Sequence, residues 1–363
     1  MEKKLQTLYG LNDITIIPEK LTDIRSRKQC FPHYIQEDVY DGDFRTEHLP
    51  IFCAPMSCVI DENNWSKFHT EELNVVIPRS VNYNKRVDLC YNTFCAFSLN
   101  EFKSLIDNLL LNNKNGYTGN KMYICIDLAN GHMKHLYELC KFAKNFMGDK
   151  ISIMTGNIAN PETYLEIGKM NCIDYIRIGI GTGNVCTTSA NTAVHYPMAS
   201  LIMKCKEYKD EYDWYEKFKF PKIIADGGFK NFDQIIKALA LGADYVMLGD
   251  ILARTEEACG KEVKKVNWRG LLNGEMKLFK RYREYYGMST RKAQKEFGSE
   301  GKKTAEGISK LVPIQYTLKG WVSNFKSFLS SAMSYTNFQF LEDFVGGPQT
   351  GLMTNSAFGA YYK

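Results

Sequence analysis

Short apolar runs recur along the chain, and each run ends in polar or glycine-rich residues. Continuous apolar runs of this length are typical of parallel strands that are buried on both faces. Seven runs have this form: PIFCAP (50–55), NVVIPRS (74–80), MYICIDLANG (122–131), ISIMTGNI (151–158), YIRIGIGTG (175–183), KIIADGG (222–228) and YVMLGD (245–250).

Segments with helical spacing of apolar residues lie between these runs. HMKHLYELCKFAKNFMG (132–148) stops at a glycine, NPETYLEIGKMN (160–171) has an early proline, and NFDQIIKALALGA (231–243) is a third helix. Strict alternation of strand and helix favours an α/β fold, a (β/α)8 TIM barrel, over a doubly wound sheet. The eighth strand has no clear run, and we place it within KLVPIQYTL (310–318).

No internal repeat or linker divides the chain, so the sequence predicts one catalytic barrel domain over residues 1–363. The polar, glycine-containing stretch EFGSEGKKTAEGIS (296–309) is typical of an exposed loop, and we expect a mobile flap over about 291–310. The tail at 346–363 is loop-like, and its aromatic residues suggest that it packs on the rest of the molecule.

Composition narrows the class of protein. A net charge of +5 favours small anionic ligands over a nucleic-acid groove, and the aromatic residues form no stacking stripe. Eleven scattered cysteines without a CxxC pair predict reduced thiols in a cytoplasmic protein and argue against structural zinc. The beginning of the chain lacks an apolar signal region, and no apolar stretch reaches membrane length. His132 and His135 are best interpreted as solvated helix positions.

Candidate chemistry lies where the predicted strands end, because barrel sites form at the carboxyl ends of the strands. DGG (226–228), LGD (248–250) and GMS (287–289) are candidates for a phosphate nest of backbone N–H groups. For DGG alone, a tight turn is an equally good interpretation, and the three stretches together favour phosphate.

The stretch GIGTGNVCTTSAN (179–191) places Cys186 directly after a glycine-rich loop. Loop N–H groups or a helix N-terminus lower a thiol pKa, and TTSANTAV (187–194) is a candidate helix with Thr187 or Thr188 near its cap. Cys186 is therefore a candidate nucleophile, and a buried structural cysteine with capping threonines is an equally supported alternative.

These motifs resemble those of the inosine monophosphate dehydrogenase / guanosine monophosphate reductase family. GIGTGNVCTT is similar to the family's cysteine loop, and IIADGGFKNFDQIIKALALGADYVMLGDIL to its paired phosphate loops. KLFKRYREYYGMST (277–290) is similar to the segment before the flap, and LNDITIIPEKLTDIRSR (11–27) to the family's N-terminal entry. The resemblance covers nearly the whole chain.

Further motifs resemble the reductases rather than the dehydrogenases. DLANGH (127–132) and GNIANPETY (156–164) are similar to reductase segments, as is KTAEGISKLVP (303–313). The dehydrogenases usually carry a pair of CBS domains near the second strand, whereas only about forty residues separate NVVIPRS from MYICIDLANG here. Five positions depart from the family pattern: Ser57, Arg79, Ser80, Lys303 and Asp250, which stands where the family has the second glycine of LGG.

The resemblance implies reductive deamination of GMP to IMP and ammonia with NADPH in a homotetramer, through a covalent link at Cys186. It implies that Thr188 and Glu306 relay a proton; Glu300 competes with Glu306 for this role, and spacing to Pro313 favours Glu306. The implied substrate residues are Asp226, Gly227, Gly228, Gly249, Asp250, Gly287, Met288, Ser289, Lys303 and Gly307. The implied cofactor residues are Ser26, Arg27, Arg79, Asp127, Ala129, Asn130, Gly131, Gly179, Ser331 and Ser334. Potassium would bind the carbonyls of Gly181, Gly183 and Cys186.

Two other functions are compatible with the sequence. One is an IMP dehydrogenase without CBS domains, which would oxidise IMP to XMP with NAD. The other is a purine-nucleotide-binding barrel without turnover, and the intact Cys-Thr-Thr triplet (186–188) argues against it.

Overall fold

Eight parallel strands close into a barrel in the computed structural model of the chain, which confirms the predicted (β/α)8 fold. The structure describes residues 5–35, 47–113, 116–212, 218–267, 278–287, 290 and 307–361. In chain order the strands are β1 (Ile14–Ile16), β2 (Tyr34–Ile35), β3 (Glu47–His48), β4 (Ile51–Cys53), β5 (Asn74–Ile77), β6 (Phe94–Phe97), β7 (Met122–Asp127), β8 (Ile151–Ile158), β9 (Tyr175–Ile178), β10 (Lys222–Asp226), β11 (Tyr245–Leu248), β12 (Glu262–Val266), β13 (Phe279–Tyr285), β14 (Lys310–Pro313) and β15 (Thr350–Leu352).

The barrel consists of β4 to β11, each paired with the next, and β11 pairs with β4 to close the ring. Closure leaves no edge of this sheet unpaired. Most residues of these strands are buried because the barrel interior covers one face and the helices cover the other. The continuous apolar runs of the sequence reflect this burial on both faces.

Helices follow the barrel strands and cover the outside of the barrel. In chain order they are α1 (Trp65–Thr70), α2 (Tyr83–Leu89), α3 (Leu99–Asn112), α4 (Lys134–Met147), α5 (Pro161–Met170), α6 (Thr188–Thr192), α7 (Met198–Tyr212), α8 (Phe232–Ala240), α9 (Asp250–Ala253), α10 (Leu318–Tyr335), α11 (Leu341–Phe344) and α12 (Asn355–Tyr361). The predicted helices at 132–148, 160–171 and 231–243 are confirmed as α4, α5 and α8.

One strand prediction was wrong. The missing barrel strand is β6, the third around the ring, and not a segment within 310–318. Lys310–Pro313 instead pairs antiparallel with β13 in a separate three-stranded sheet of β12, β13 and β14, and Leu318 begins α10. DGG and LGD therefore end the seventh and eighth barrel strands rather than the sixth and seventh.

The interpretation of His132 as a solvated helix residue was also wrong. His132 precedes α4, its Nδ1 lies 3.0 Å from Oγ1 of Thr163, and its Nε2 accepts the N–H of Ala159 at 3.1 Å. It thus joins the loop after β7 to the start of α5. His135 lies in the first turn of α4 and is exposed, as expected.

Eleven cysteines are free thiols in the structure, as their spacing predicts. Nine are buried, and only Cys186 and Cys259 are half-buried. Among the helices of the described ranges, none combines the length and the apolar character that crossing a membrane requires.

Candidate active site

A buried arginine organises the carboxyl end of the barrel. Arg177 lies on β9, where its Nη1 donates to Oδ1 of Asp127 at 2.6 Å. Its Nε and Nη2 both donate to Oδ2 of Asp226, at 3.0 and 2.8 Å. Burial opposes ionisation of the guanidinium, but the two carboxylates hold the pKa of Arg177 above its ordinary value. The guanidinium of Arg177, on β9, therefore joins the carboxyl ends of β7 and β10 through Asp127 and Asp226.

Asn157 completes this polar cluster. Its Nδ2 donates to Oδ2 of Asp226 at 2.7 Å and to the carbonyl of Gly179 at 2.9 Å. Oδ2 of Asp226 thus receives donors from both Arg177 and Asn157, so the orientation of this carboxylate is fixed. Among the hydrogen bonds of the described residues, none uses the other oxygen of Asp226, which can accept from a ligand.

The cysteine loop packs directly on the turn that follows β10. The hydroxyl of Thr182 donates to the carbonyl of Asp226 at 2.6 Å. Gly227 has φ +82°, and a Cβ at this position would lie only 2.9 Å from Oγ1 of Thr182. Glycine is required here both for the left-handed conformation and for the close approach of the two loops. DGG is therefore a tight turn that also forms a wall of the site, so the two interpretations of this motif are compatible.

Cys186 faces the start of the short helix α6. Its Sγ lies 3.3 Å from Oγ1 of Thr188, and the loop turns back through a hydrogen bond from the N–H of Cys186 to the carbonyl of Gly183 at 2.9 Å. The helix predicted at 187–194 is confirmed as α6, with Thr187 at the N-cap position but without a capping side-chain hydrogen bond. Cys186 is thus a partly exposed thiol beside a hydroxyl group, unlike the nine buried cysteines.

A cavity that is open to solvent, with about 260 Å³ of empty space, lies between the cysteine loop and the two glycine turns. Its walls include Gly183 and Asn184 from the loop, and Tyr285 from β13. The other wall residues come from the ends of β10 and β11 and the residues that follow them: Gly227, Gly228, Phe229, Met247, Leu248, Gly249, Asp250 and Ile251. The structure therefore brings together four predicted substrate residues, Gly227, Gly228, Gly249 and Asp250.

Asp250 is buried and held by three donors. Its Oδ1 accepts from Nε of Arg254 at 2.7 Å, and its Oδ2 accepts from Nδ2 of Asn184 at 2.8 Å and from Nζ of Lys310 at 2.6 Å. Burial opposes ionisation, but hydrogen bonds from Lys310, Arg254 and Asn184 hold the pKa of Asp250 below its ordinary value. Two cations, Arg254 and Lys310, therefore compensate the charge of Asp250.

The segment before β14 also reaches the cysteine loop. Gly307 forms an isolated antiparallel bridge with Cys186, and the N–H of Ile308 donates to the carbonyl of Val185 at 3.0 Å. Gly287 approaches the same loop, since a Cβ on it would lie 3.7 Å from Val185. The predicted residues Met288, Ser289, Lys303 and Glu306, its competitor Glu300, and the flap residues 291–306 lie outside the described residues.

The predicted cofactor residues fall into three places. Asp127, Ala129, Asn130, Gly131 and Gly179 lie at the ends of β7 and β9, next to the Arg177 cluster. The N–H of Gly131 donates to the carbonyl of Asn157 at 2.9 Å, and Oδ1 of Asn130 accepts the N–H of His132 at 3.0 Å. These contacts hold the loop after β7 against β8.

The second and third places are separate from this cluster. Nη1 of Arg27 donates to Oγ of Ser331 at 3.3 Å, and Oγ of Ser334 donates to the carbonyl of Ser331 at 3.1 Å. Ser26 caps the turn containing Arg27, and these two exposed residues lie beside the half-buried Ser331 and Ser334 of α10. Arg79 lies after β5, apart from the other predicted cofactor residues, and its Nε lies 3.7 Å from Oε2 of Glu101. No hydrogen bond among the described residues links either place to Cys186.

A larger cavity, of about 670 Å³, lies at the opposite end of the barrel. Its lining includes Phe52, Phe94, Tyr123 and Tyr175 near the amino ends of their strands, and none of the predicted site residues. We place the chemistry at the smaller cavity, because the glycine turns line it and the loop that carries Cys186 contributes Gly183 and Asn184 to its wall.

Four functional candidates were missed by sequence reasoning: Arg177, Asn157, Asn184 and Lys310. The one available signal was the charge inside the otherwise apolar run YIRIGIG (175–181), since a charge in a doubly buried strand needs a partner. Asn157, Asn184 and Lys310 give no comparable signal, because the carboxylates that they bind are 69, 66 and 60 residues away along the chain.

Sequence comparisons identify the family to which the chain belongs. The GMP reductase of Buchnera aphidicola subsp. Acyrthosiphon pisum (strain Tuc7) is 30% identical over 223 residues, and that of Vibrio vulnificus (strain YJ016) is 32% identical over 216 residues. These alignments cover 61% and 59% of this chain, and 58% and 56% of the two relatives. The chain thus spans little more than half the length of the curated relatives it matches. The profile of the IMP dehydrogenase / GMP reductase domain matches residues 120–359, and the chain belongs to this family.

Proposed function

We propose that the chain is an oxidoreductase that converts GMP to IMP and ammonia with NADPH, as a step of purine nucleotide salvage. The observation that carries the proposal is the half-buried Cys186 thiol, 3.3 Å from the Thr188 hydroxyl and beside a glycine-walled cavity. The similar proteins named GMP reductase favour this reaction over the dehydrogenase alternative.

In the proposed reaction, the Cys186 thiolate bonds to C2 of the purine. The amino group leaves that carbon as ammonia, which gives a thioimidate; covalent catalysis thereby divides a difficult substitution into two steps. NADPH, when bound, supplies the hydride that C2 gains as the carbon–sulfur bond breaks and the thiolate is released. The products are IMP, NADP⁺ and ammonia.

Ammonia leaves as a neutral molecule only after its nitrogen gains a proton. We assign the proton relay to Thr188 and Glu306, a general-acid role. The position of Thr188 beside Sγ supports this assignment, as does the bridge between Cys186 and Gly307, the residue that follows Glu306 in the chain. Glu300 is the competing candidate.

Substrate binding is assigned to the cavity and its rim. The unengaged oxygen of Asp226 would accept hydrogen bonds from the ribose hydroxyls, while Arg177 and Asn157 hold the carboxylate in place. The backbone at Gly227, Gly228 and Gly249 would hold the phosphate, and the cations around Asp250 make this end of the cavity attractive to an anion.

The arginines and loops at the strand ends suit a dinucleotide cofactor. Arg79 has a buried Nε that donates no hydrogen bond within the described part of the chain, so it has a donor available for a ligand. Asp127 to Gly131 would hold the nicotinamide side, and Arg79, Ser26 and Arg27 the far end, where basic residues suit the extra phosphate of NADPH. Ser331 and Ser334 would contribute beside Arg27.

The remaining assignments rest on the resemblance. Potassium would bind the carbonyls of Gly181, Gly183 and Cys186, of which those of Gly181 and Gly183 each accept one hydrogen bond within the loop and keep a second lone pair. A homotetramer is expected from the family. The eleven free thiols support a cytoplasmic location.

A steady-state absorbance assay tests the proposal. Purified protein should consume NADPH when GMP is added, and consume NADH more slowly. Formation of NADH from IMP and NAD⁺ would instead identify the dehydrogenase, and GMP binding without turnover would identify a binding protein.

The covalent step has its own test. Cys186→Ser should abolish turnover, whereas Cys259→Ser should retain it, because Cys259 is the other half-buried cysteine and its pKa is raised to about 12 by burial. Intact-mass measurement of protein quenched during turnover should find a nucleotide adduct in the wild type and the Cys259 variant only. Full turnover by Cys186→Ser would exclude the mechanism.

A further inference from the structure

Asp250 connects three separate parts of the site. Asn184 lies two residues before Cys186, Arg254 lies on the turn after α9, and Lys310 begins β14 three residues after Gly307. All three side chains donate to the Asp250 carboxylate at 2.6 to 2.8 Å, and Asp250 is only 7% exposed. A single buried group therefore holds the nucleophile's loop and the strand beyond Gly307.

Other contacts support the placement of Lys310. Its Nζ lies 5.5 Å from the ring centre of Tyr285, which pairs with Lys310 across β13 and β14 and also lines the cavity. Lys310 and Arg254 together outweigh the charge of Asp250, so the cluster keeps a net positive charge at the cavity. The acid thus holds two cations at an anion site rather than repelling the anion.

We propose that Asp250 is a positioning residue, which sets the distance between Cys186 and the segment around Gly307 by binding Asn184 and Lys310 together. The proposed reaction assigns no chemical step to Asp250, Asn184 or Lys310. The inference rests on the proposed function for its kinetic consequences, but not for its structural ones.

The kinetic test uses Asp250→Asn, which keeps the shape of the side chain and removes its charge. Displacement of the tied segments should lower kcat by about tenfold, because small errors in geometry have large effects on rate. KM for GMP should not rise, because both cations remain. Lys310→Met should lower kcat similarly, and the double variant should be no slower than Lys310→Met, since the two residues act through one contact. Additive losses, or a wild-type kcat in Asp250→Asn, would overturn the proposal.

The matched control is Lys204→Met. Lys204 pairs with Glu207 at 2.7 Å on the exposed side of α7, so this variant loses a lysine ion pair away from the site. It should keep wild-type kcat and KM.

Hydrogen exchange tests whether Asp250 holds the two segments together, and this measurement does not require turnover. Asp250→Asn and Lys310→Met should both speed amide exchange in residues 183–187 and 308–312 together, and leave α5 unchanged. Unchanged exchange in either segment would overturn the proposal even if GMP is reduced normally. If the wild type does not reduce GMP, the proposed function fails and the exchange result still decides this inference. Lys310 is half-buried at the start of its strand, so its variant serves if Asp250→Asn does not fold.

Discussion

At the scale of single residues, ion pairs between buried side chains fix the positions of the carboxylates in the site. Arg177 is one permanent cation between the carboxylates of Asp127 and Asp226, and it forms an ion pair with each of them. Removing one member of such a buried cluster leaves an uncompensated charge, which costs several kcal/mol in proteins, on the order of 3–5. Asp127 and Asp226 are therefore held in place before any ligand arrives, which is the condition for recognising hydroxyl groups with a fixed geometry.

His48, on β3, carries a pH-dependent part of the stability. Burial lowers the pKa of His48 to about 4, with smaller contributions from His33 and His69. An unfolded chain has a histidine pKa of about 6.5. The folded state therefore binds fewer protons between these values, so this contribution is complete above the unfolded pKa and is lost as the pH falls towards the folded one. We expect His48→Gln to remove this pH-dependent decrease in the unfolding free energy.

Urea unfolding at two pH values measures the effect. Between about pH 7 and pH 5 the wild type should lose about 2 kcal/mol more unfolding free energy than His48→Gln. His135→Gln is the control, because His135 is exposed on α4 and should follow the wild type. If His48→Gln loses stability as steeply as the wild type, His48 is not held neutral in the fold.

At the scale of elements, the sequence predicted seven of the eight barrel strands and missed β6. The polar Ser98 that follows β6 caps α3, so the strand passes directly into a helix without a loop. Within 310–318, the residues that form a strand, Lys310–Pro313, belong to an antiparallel sheet, which lies outside the barrel. Apolar content predicts that a segment is buried, but which sheet it joins depends on partners far away in the chain.

Cys186 and the glycine turns were predictable because their chemistry is local in sequence. The contacts that hold them were not. The carboxylate of Asp250 accepts from residues 66 and 60 positions away, and no period of two or 3.6 residues encodes such distances. The candidate site was therefore predicted as a set of reactive groups, without the arginine, asparagine and lysine side chains that position them.

The element that presents Cys186 depends on Gly181. Gly181 has φ +69°, and a Cβ on it would lie 2.5 Å from Cβ of Ser189 on α6. Gly181→Ala should therefore displace α6, separate Thr188 from Cys186 and lower turnover strongly. We expect a loss of about 1–3 kcal/mol in unfolding free energy from the strained backbone.

Gly359→Ala is the matched control. Gly359 lies on α12, its φ is not positive, and a Cβ added to it would meet no atom within 4 Å. Alanine favours a helix over glycine, so this variant should be as stable as the wild type or slightly more stable. Turnover assays and thermal unfolding of both variants make the comparison. Normal turnover by Gly181→Ala would show that α6 does not depend on this contact.

At the scale of the whole molecule, the two ends of the described chain pair with each other. β1 and β15 form a two-stranded antiparallel sheet, extended by a hydrogen bond from the N–H of Ile17 to the carbonyl of Gln349 at 2.8 Å. Phe31 also stacks on Phe340 with ring centres 5.5 Å apart. The C-terminal tail packs on the molecule, as expected, and its partner is the N-terminal segment. The prediction that the tail is loop-like was wrong, because it contains β15 and α12, and its aromatic residue Tyr361 is 82% exposed.

The pairing of β1 with β15 provides a test of the prediction that residues 1–363 form a single domain. Ile14 on β1 is 2% exposed and Ile17 is 37% exposed, so the same truncation has different consequences three residues apart. Ile14→Ala should lower the unfolding free energy by about 2–4 kcal/mol, because it leaves a cavity where the chain ends meet the barrel. Ile17→Ala should have a smaller effect, since less of its side chain leaves water on folding.

Thermal unfolding followed by circular dichroism, together with residual turnover, separates the two possible outcomes. If the ends and the barrel form one cooperative unit, Ile14→Ala shifts a single transition to lower temperature, and activity is lost in that same transition. If the sheet of β1 and β15 unfolds before the barrel, the variant shows a separate transition at lower temperature. Turnover then continues above the temperature of that first transition. That second result would contradict a single domain over residues 1–363 and would show that the barrel is stable without its paired ends.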